Sequence, residues 1–328
     1  MKFVFEIRDK VLKGEKISKE EAKKLYFEDL EDLKASANKI REKFLGDSIN
    51  LCSIINGKSG RCKENCSFCA QSIFFKTGAK EYQMLPFKDV LKEFKSNESE
   101  GVNRFSIVTS GRGLKGEDFN TILDYYKKLK SLGNLELCAS HGIIDKESLK
   151  SLKKVGVKRY HHNLETSKDY FKNICTTHSF EERLETIKFA KEAGLEVCSG
   201  GIIGLGETYL DRLDLAFTLR DLEIKSIPIN ILMKIKGTPL INIKDISEED
   251  VLRTIALFRF INPKAYIRLA GGRNRLKNYG EEAFKSGANA TITGNLLTTC
   301  GNKIKDDIKL IEKLGLRVEK SWKGAHIL

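Results

Sequence analysis

The residues with the clearest capacity for chemistry are three cysteines in the stretch 59–72, which reads SGRCKENCSFCAQS. Cys62, Cys66 and Cys69 follow the spacing C-x3-C-x2-C, so one irregular loop can turn all three sulfurs towards a single point. Three thiolates leave a tetrahedral zinc ion or a cubane iron–sulfur cluster one ligand short, and an iron with a vacant position can bind a substrate or a cofactor. A structural zinc site is the alternative, but such sites usually combine two paired units and no second pair lies nearby. The loop therefore predicts chemistry at an open iron.

The same spacing, with Phe68 just before the last cysteine, resembles the signature of the radical S-adenosylmethionine (SAM) enzymes. The longer run INGKSGRCKENCSFCAQS resembles the biotin synthase family within that superfamily. The resemblance implies that Cys62, Cys66 and Cys69 hold a [4Fe-4S] cluster. It also implies that the amino and carboxylate groups of SAM chelate the fourth iron, with Phe68 at the SAM site.

A glycine-rich stretch, GGIIGLGE, lies further along the chain. It does not fit the dinucleotide-binding pattern G-x-G-x-x-G, because Tyr209 stands where the third glycine is needed. It resembles the GxIxGxxE element of radical SAM enzymes, which packs against the adenine of SAM. The matching positions are Gly200, Ile202, Gly204 and Glu207. The alternative is a βα turn whose glycines serve packing alone.

The word YHHNLET resembles a family element that contacts substrate and cofactor. By that resemblance Asn163 binds dethiobiotin, and Glu165 takes the place of an aspartate that hydrogen-bonds the ribose of SAM. His161 replaces an asparagine at a substrate contact, and Asn230 in PINIL faces substrate and cofactor. A structural role is the alternative for these histidines, because a histidine near a strand end is more often a satisfied structural residue.

Family resemblance also implies an auxiliary iron–sulfur cluster, a [2Fe-2S] cluster in the family. Arg268 in IRLAGGR corresponds to the arginine that ligates it, but Ser106 stands where the family has a cysteine ligand. A serine oxygen is a poorer iron ligand than a thiolate. We predict instead that Cys138, Cys175 and Cys198 hold the second cluster, which is then of a four-iron type, with Arg268 as a ligand or a hydrogen-bond donor beside it. The alternative leaves Cys175 as an incidental loop thiol.

The elements that position these residues repeat one unit, a short apolar run followed by a loop and an amphipathic helix. Eight apolar runs are predicted as strands: 49–55, 104–109, 135–139, 157–161, 195–203, 226–232, 265–270 and 289–293. Eight strand–helix units predict a TIM (β/α)8 barrel, whose active site forms at the carboxyl ends of the strands. A doubly wound open sheet is the alternative. We predict three regions, an N-terminal helical extension (1–45), the barrel (46–316) and a C-terminal tail (317–328).

Composition limits the other possibilities. The net charge of +13 comes from 58 basic residues interspersed with 45 acidic ones, which indicates a solvated surface rather than a nucleic-acid partner. Eight cysteines behind a charged start argue against secretion and disulfides, and no apolar run is long enough for a membrane span. We therefore expect a cytoplasmic protein with reduced thiols. Cys52 is interpreted as a core residue and Cys300 as a loop thiol.

The activity that the resemblance implies is insertion of sulfur into dethiobiotin to form biotin. A 5'-deoxyadenosyl radical from SAM abstracts hydrogen from an unactivated carbon, and the auxiliary cluster donates sulfur. The partners implied are an electron donor such as flavodoxin or ferredoxin, and a second copy of the chain in a homodimer. The alternatives are a related radical SAM barrel enzyme, of the hydrogenase-maturase or methylornithine-synthase type, and a non-catalytic iron–sulfur electron carrier. Carriers normally enclose a cluster with four protein ligands, whereas this loop offers three.

Overall fold

Eight parallel strands, the fifth of them in two pieces, close into a barrel in the computed structural model, which describes residues 2–297 and 301–319. The strands are β1 (Ser48–Lys58), β2 (Arg104–Thr109), β3 (Glu136–Ser140), β4 (Arg159–His161), β5 (Glu196–Cys198), β6 (Gly201–Ile203), β7 (Ser226–Ile231), β8 (Tyr266–Leu269), β9 (Ala290–Ile292) and β10 (Arg317–Val318). β1 pairs with both β2 and β9, which closes the sheet. The predicted TIM barrel is confirmed.

The fifth strand of the barrel is interrupted and consists of β5 and β6. β5 and β6 both pair with β7 in one continuous register, Cys198 opposite Ser226 and Gly201 opposite Ile229. A Cβ on Gly200, between the two strands, would lie 1.9 Å from the carbonyl oxygen of Pro228. Only glycine allows this approach. The predicted run 195–203 therefore forms one barrel strand that is divided into β5 and β6.

Helices lie outside the barrel after most strands. They are α1 (Phe3–Leu12), α2 (Lys19–Leu25), α3 (Leu30–Leu45), α4 (Phe87–Ser99), α5 (Gly116–Leu132), α6 (Lys146–Lys154), α7 (Lys168–Phe171), α8 (Phe180–Glu192), α9 (Tyr209–Asp221), α10 (Glu248–Ile261), α11 (Glu281–Lys285) and α12 (Ile304–Lys313). Within the described residues, none of these helices is long and apolar enough to cross a membrane.

The first three helices pack against the side of the barrel. α2 begins at a capping box, because the Ser18 hydroxyl accepts from the Glu21 amide and the Glu21 carboxylate accepts from the Ser18 amide. α3 packs against α10, and the buried Lys34 of α3 forms an ion pair with Glu282 of α11. At the other end of the chain, β10 adds to the start of β1, and residues 320–328 lie outside the described part. The division into three regions at 45 and 316 stays a prediction.

Candidate active site

The three-cysteine loop connects β1 to α4 and is held by its own backbone. Cys62 donates its amide to the Gln71 carbonyl at 3.0 Å and accepts from the Ile73 amide at 2.9 Å, while the Cys69 amide donates to the Cys66 carbonyl at 2.9 Å. Cys62 and Cys66 are buried and Cys69 is half-buried. All three line a cavity of about 180 Å³, which we call the loop cavity. The structure thus brings the three predicted cluster ligands together.

Burial makes these thiols hard to ionise without a nearby cation. Burial raises the pKa of Cys62 and raises that of Cys69 to about 11, and the hydrogen bond with Cys175 followed by burial raises the pKa of Cys66. A thiolate is the form that binds metals, so a metal centre supplies the positive charge that ionisation of these buried groups requires. The donor set therefore fits a [4Fe-4S] cluster with one iron left free of protein ligands.

The segment 172–178, which follows α7, forms a wall behind this loop. The Ser67 amide donates to the Ile174 carbonyl at 2.8 Å, and the Asn65 side-chain oxygen accepts from the Thr176 amide at 3.0 Å. These bonds bring the sulfur of Cys175 to 3.7 Å from that of Cys66. The predicted grouping of Cys175 with Cys138 and Cys198 is therefore corrected, because hydrogen bonds to the first loop fix Cys175 beside Cys66.

A second and larger cavity fills the barrel mouth, with a volume of about 350 Å³; we call it the barrel cavity. Cys138 from β3, Cys198 from β5 and Arg268 from β8 line it, as predicted. Cys52 from β1, interpreted from the sequence as a core residue, is buried and lines this cavity as well. Cys175 does not line this cavity, and Cys300 lies outside the described residues. Three thiols and two arginines, Arg159 and Arg268, thus share the barrel cavity.

These thiols lie in a positively charged environment. The hydrogen bond from Cys138 lowers the pKa of Cys52 to about 6 despite burial, and Arg268 and Arg159 act in the same direction. Burial raises the pKa of Cys198, but the hydrogen bond and charge of His161 outweigh it and lower the value to about 7. Cys52 and Cys198 are therefore easier to ionise than an ordinary buried thiol. This is the behaviour expected of metal-binding cysteines.

Two buried arginines, Arg159 and Arg268, and the half-buried Arg104 account for much of that positive charge. Arg268 donates to the side-chain oxygen of Asn50 at 2.6 Å and to a backbone carbonyl of β9 at 2.9 Å. Arg159 donates to Glu196 at 2.7 Å, and Arg104 pairs with Glu136. Arg159 and Arg268 line the barrel cavity directly. Hydrogen bonds and ion pairs with the strands thus hold the three arginines in place. The positive charges of Arg159 and Arg268 lie in the lining of the cavity that holds the thiols.

Ser106, where the family resemblance expects a cysteine, also lines the barrel cavity. Its buried hydroxyl has no hydrogen-bond partner among the described residues. β2 and β1 are neighbours, with Ser106 opposite Ile54, so Cys52 lies one inward-facing position below the serine on the adjacent strand. The thiol of Cys52 is therefore next to Ser106, the position where the family has a cysteine and this chain does not.

The residues expected to contact substrate lie on the barrel rim. His161, Asn163 and Asn230 line the barrel cavity, and His161 and Asn163 also line the loop cavity. The Asn230 amide accepts from the Gly271 amide at 2.9 Å and donates to the Gly201 carbonyl at 3.1 Å. Burial lowers the pKa of His161, but the hydrogen bond to Cys198 outweighs it and raises the value overall. The predicted substrate set is therefore assembled at one mouth.

Glu165 occupies the junction of the two cavities and lines both, as Phe68 does. Its backbone has a φ of +72°, which is rare for a residue with a side chain and marks a constrained position. Its carboxylate accepts from the Asn163 amide at 3.2 Å and lies 3.5 Å from Arg183. Glu165 is thus held in the place expected for a contact with SAM.

The glycine-rich element divides into two roles. Ile202 lines the barrel cavity, whereas Gly200, Gly204 and Glu207 line neither cavity. The Glu207 carboxylate accepts from the amides of Gly204 at 2.9 Å and Leu205 at 2.7 Å, and it pairs with Arg212 at 3.1 Å. Glu207 thus holds the turn after β6, and its contact with the cofactor stays a prediction.

Two sequence families match the chain. The Radical SAM superfamily matches residues 58–219, and the Biotin and Thiamin Synthesis associated domain matches residues 228–317. The first range contains the three-cysteine loop and the glycine-rich element, and the second contains the last barrel strands with Arg268. Together they cover the lining of the loop cavity and that of the barrel cavity apart from Cys52 and Ile54.

Curated relatives match over nearly the full length. The chain is 65% identical to a biotin synthase of Clostridium perfringens (strain 13 / Type A), covering 97% of this chain and 100% of the relative. It is 54% identical to a biotin synthase of Clostridium tetani, covering 96% of this chain and 98% of the relative. The identity to both relatives thus extends over nearly the whole length of this chain.

Solved structures agree on the fold. The crystal structure of methylornithine synthase has a TM-score of 0.85 at 20% identity, covering 95% of this chain and 97% of the other. The FeFe-hydrogenase maturase from Carboxydothermus hydrogenoformans has a TM-score of 0.81 at 18% identity, covering 98% and 80%. At these identities the likeness shows a shared fold and nothing about activity.

Proposed function

The chain belongs to the biotin synthase family of radical SAM enzymes, and from that premise we propose that it inserts sulfur into dethiobiotin to form biotin. One observation carries the proposal beyond family membership. The loop cavity and the barrel cavity share Phe68, His161, Asn163 and Glu165 in their linings, so they adjoin. A radical made at one wall can therefore meet a substrate that also faces the thiols of the other wall.

Membership of the family implies SAM and a [4Fe-4S] cluster as cofactors. We propose that Cys62, Cys66 and Cys69 hold that cluster, because their thiols are buried together on one loop. When bound, the cluster and SAM supply the 5'-deoxyadenosyl radical that abstracts hydrogen from the substrate. Glu165, held by Asn163 and Arg183, is placed to orient SAM between the two cavities.

The chain itself contributes orientation and exclusion of water. Asn163 and Glu165 are each 8% exposed, and Arg268 is 2% exposed, so polar groups face a space largely closed to bulk solvent. A buried polar group that loses its partner costs about 1–3 kcal/mol, so the correct substrate is favoured over analogues that leave such groups unpaired. Holding the reacting carbon near both cavities replaces an encounter in solution by a fixed geometry.

We propose that Cys52, Cys138 and Cys198 hold the auxiliary cluster that donates sulfur. All three thiols face one cavity, and the buried Arg159 and Arg268, together with the half-buried Arg104, offset the negative charge that thiolates and sulfides accumulate. Arg268 is engaged with Asn50 and β9, which supports a role beside the cluster as a hydrogen-bond donor. Three thiolates suit a four-iron cluster with one differentiated iron, which is the nuclearity we propose.

We further propose that a small acidic electron carrier, such as a flavodoxin or a ferredoxin, docks beside the three-cysteine loop. Ile73 and Phe74 directly follow that loop and are 53% and 58% exposed. Lys63 and Lys76, both exposed, lie within ten residues of Ile73 in the sequence. An apolar centre with a basic rim suits a partner of opposite charge and places it close to the cluster loop. The homodimer implied by the family is a separate proposal, tested by light scattering.

The experiment that tests the activity is anaerobic reconstitution with iron and sulfide, followed by incubation with SAM, a reductant and dethiobiotin. We expect both 5'-deoxyadenosine and biotin. Formation of 5'-deoxyadenosine without biotin would favour a different radical SAM reaction, and formation of neither would contradict the proposal. Cys138→Ser is the matched variant, expected to retain cleavage of SAM while losing biotin.

A further inference from the structure

Three metal-ligating side chains meet behind the three-cysteine loop in an arrangement that the proposed chemistry does not use. Cys66, Cys175 and His178 are all buried, and their ligand atoms lie within 4.8 Å of one another. The sulfurs of Cys66 and Cys175 are 3.7 Å apart, and the Cys175 sulfur is 3.3 Å from Nδ1 and 3.9 Å from Nε2 of His178. We call these residues the Cys66–Cys175–His178 triad.

The spacing of the two sulfurs matches that of a mononuclear metal centre. A tetrahedral ion with metal–sulfur bonds of about 2.3 Å holds two sulfurs about 3.8 Å apart. With a metal–nitrogen bond of about 2.0 Å, the sulfur–nitrogen separation is about 3.5 Å. The observed 3.7 Å between the sulfurs, and the 3.9 Å from the Cys175 sulfur to Nε2, lie close to these values. The Cys175 sulfur is nearer to Nδ1, at 3.3 Å, so the His178 ring must turn for Nε2 to face an ion held by the two sulfurs.

The surroundings of His178 prepare its ring for this task. Glu64 accepts from Nδ1 at 2.5 Å, and the Arg183 side chain donates to Nε2 at 2.9 Å. Nδ1 therefore carries the proton, and the lone pair of Nε2 accepts the hydrogen bond from Arg183. A carboxylate behind the other ring nitrogen is the arrangement that orients metal-binding histidines. An ion at Nε2 has only the hydrogen bond from Arg183 to displace.

A route and a fourth ligand are also available. Cys66, His178 and Glu64 line the loop cavity, so an ion reaches the triad from that side. A water molecule from the cavity completes a four-coordinate shell with two sulfurs and one nitrogen. Cys175 belongs to a wall fixed by the hydrogen bonds between Asn65, Ser67 and the segment 172–178, which keeps the set together.

We propose that Cys66, Cys175 and His178 form a mononuclear site for a divalent transition metal, Fe²⁺ or Zn²⁺, in the chain before its cluster is assembled. The site shares Cys66 with the proposed [4Fe-4S] ligands, so the two metal centres exclude each other. Ferrous iron held there already contacts one of the three cluster thiols. Zinc held there blocks that thiol.

The test uses the full-length, reduced, iron-free chain with Co²⁺ as the probe, because tetrahedral thiolate ligation of Co²⁺ gives characteristic visible and near-ultraviolet absorption. We expect Cys175→Ser and His178→Gln to weaken binding on the order of 100-fold, and Glu64→Gln to weaken it about 10-fold. The matched controls are the double variant Cys62→Ser/Cys69→Ser and the barrel variant Cys138→Ser, both expected to bind as tightly as the unaltered chain. Circular dichroism checks that each variant is folded.

X-ray absorption of the unaltered chain with one equivalent of Zn²⁺ tests the site without any substitution. We expect a shell of two sulfurs and two nitrogen or oxygen atoms, whereas three or more sulfurs would overturn the proposal. Unchanged affinity in a folded Cys175→Ser variant, or its loss in Cys62→Ser/Cys69→Ser, would also overturn it. These readouts do not depend on the cluster assignment, so failure of either proposal is distinguishable from failure of the other.

Discussion

Replacing Asn163 by aspartate tests whether this side chain holds Glu165 at the junction of the two cavities. In the structure the Asn163 amide donates to the Glu165 carboxylate at 3.2 Å, and both residues are 8% exposed. Asn163→Asp removes that donor and sets a second carboxyl group against the first. The change is nearly isosteric, so its effect reports on charge rather than on packing.

The size of the effect follows from this distance. At 3.2 Å, two like charges repel by about 5 kcal/mol when the effective dielectric constant is about 20. A proton on the new carboxyl removes the repulsion, but it costs about 1.4 kcal/mol for each pH unit above an ordinary carboxyl pKa of about 4. The expected loss in free energy of unfolding is therefore about 2 kcal/mol near pH 5.5 and about 5 kcal/mol near pH 8.

The direction of the pH dependence is fixed by linkage. The folded variant binds the extra proton more tightly than the unfolded chain, so the pKa of the new carboxyl is raised on folding. The stability of the variant relative to the unaltered chain is then greatest at low pH and is lost as the pH rises through the raised pKa. The assay is urea unfolding of the cluster-free chain, followed by circular dichroism at both pH values.

Asn38→Asp is the matched control. The Asn38 amide donates to the Glu42 carboxylate at 2.8 Å, one turn along the accessible face of α3. The chemical change is the same, but water screens it, and a like-charge pair at this helix spacing costs only about 0.2–0.5 kcal/mol. Equal losses in the two variants, or a loss in Asn163→Asp that does not change with pH, would refute the inference that Asn163 holds Glu165 in a desolvated contact.

Three further substitutions separate the roles of the other site residues. Cys66→Ala leaves the first cluster two loop ligands, so we expect loss of 5'-deoxyadenosine production; near-normal production would refute the ligand set. Cys52→Ser is expected to remove the auxiliary cluster, seen as lost iron and an altered Mössbauer spectrum, while Cys175→Ala retains it; the opposite result would restore the ligand set predicted from sequence. Gly200→Ala places a Cβ 1.9 Å from the Pro228 carbonyl oxygen, so we expect a loss of about 3 kcal/mol in thermal or urea unfolding, and an unchanged midpoint would contradict the close approach.

The barrel was predictable because its signals are local. Strands buried in a parallel sheet read as short apolar runs, and the helices between them show their own period and caps. The run 104–109 coincides with β2, Arg104–Thr109, and the run 226–232 ends one residue beyond β7, Ser226–Ile231. The three-cysteine loop was predictable for the same reason, since its ligands lie within eight residues of sequence.

Cys52 was missed because its role depends on an alternation that the apolar run conceals. β1 is buried along most of its length, so its sequence gives no contrast between the face towards the helices and the face towards the barrel interior. The signal that was available is Asn50, a polar residue two positions earlier in a buried strand, whose side chain the structure pairs with Arg268. Residues two positions apart on a strand lie on the same face, so Cys52 faces the barrel interior as Asn50 does.

Cys175 was misplaced because its position depends on contacts between distant segments. The stretch 172–178 follows the fourth strand in sequence, which suggested the barrel rim. Hydrogen bonds from Asn65 and Ser67, more than 100 residues earlier, draw it to the cluster loop instead. No local pattern encodes such a pairing. The contacts of Glu207 with the turn after β6 were missed for a related reason, since the two backbone amides that it binds are not visible as a residue type.

The most direct test of the whole account follows the sulfur atom. The chain is reconstituted with heavy-isotope-labelled sulfide, freed of excess sulfide, and given SAM, reductant and dethiobiotin for a single turnover, after which mass spectrometry measures the label in biotin. We predict labelled biotin from the unaltered chain and from Cys175→Ala, and none from Cys52→Ser although that variant still forms 5'-deoxyadenosine. Labelled biotin from Cys52→Ser, or unlabelled biotin from the unaltered chain, would contradict the claim that the thiols of the barrel cavity hold the sulfur donor.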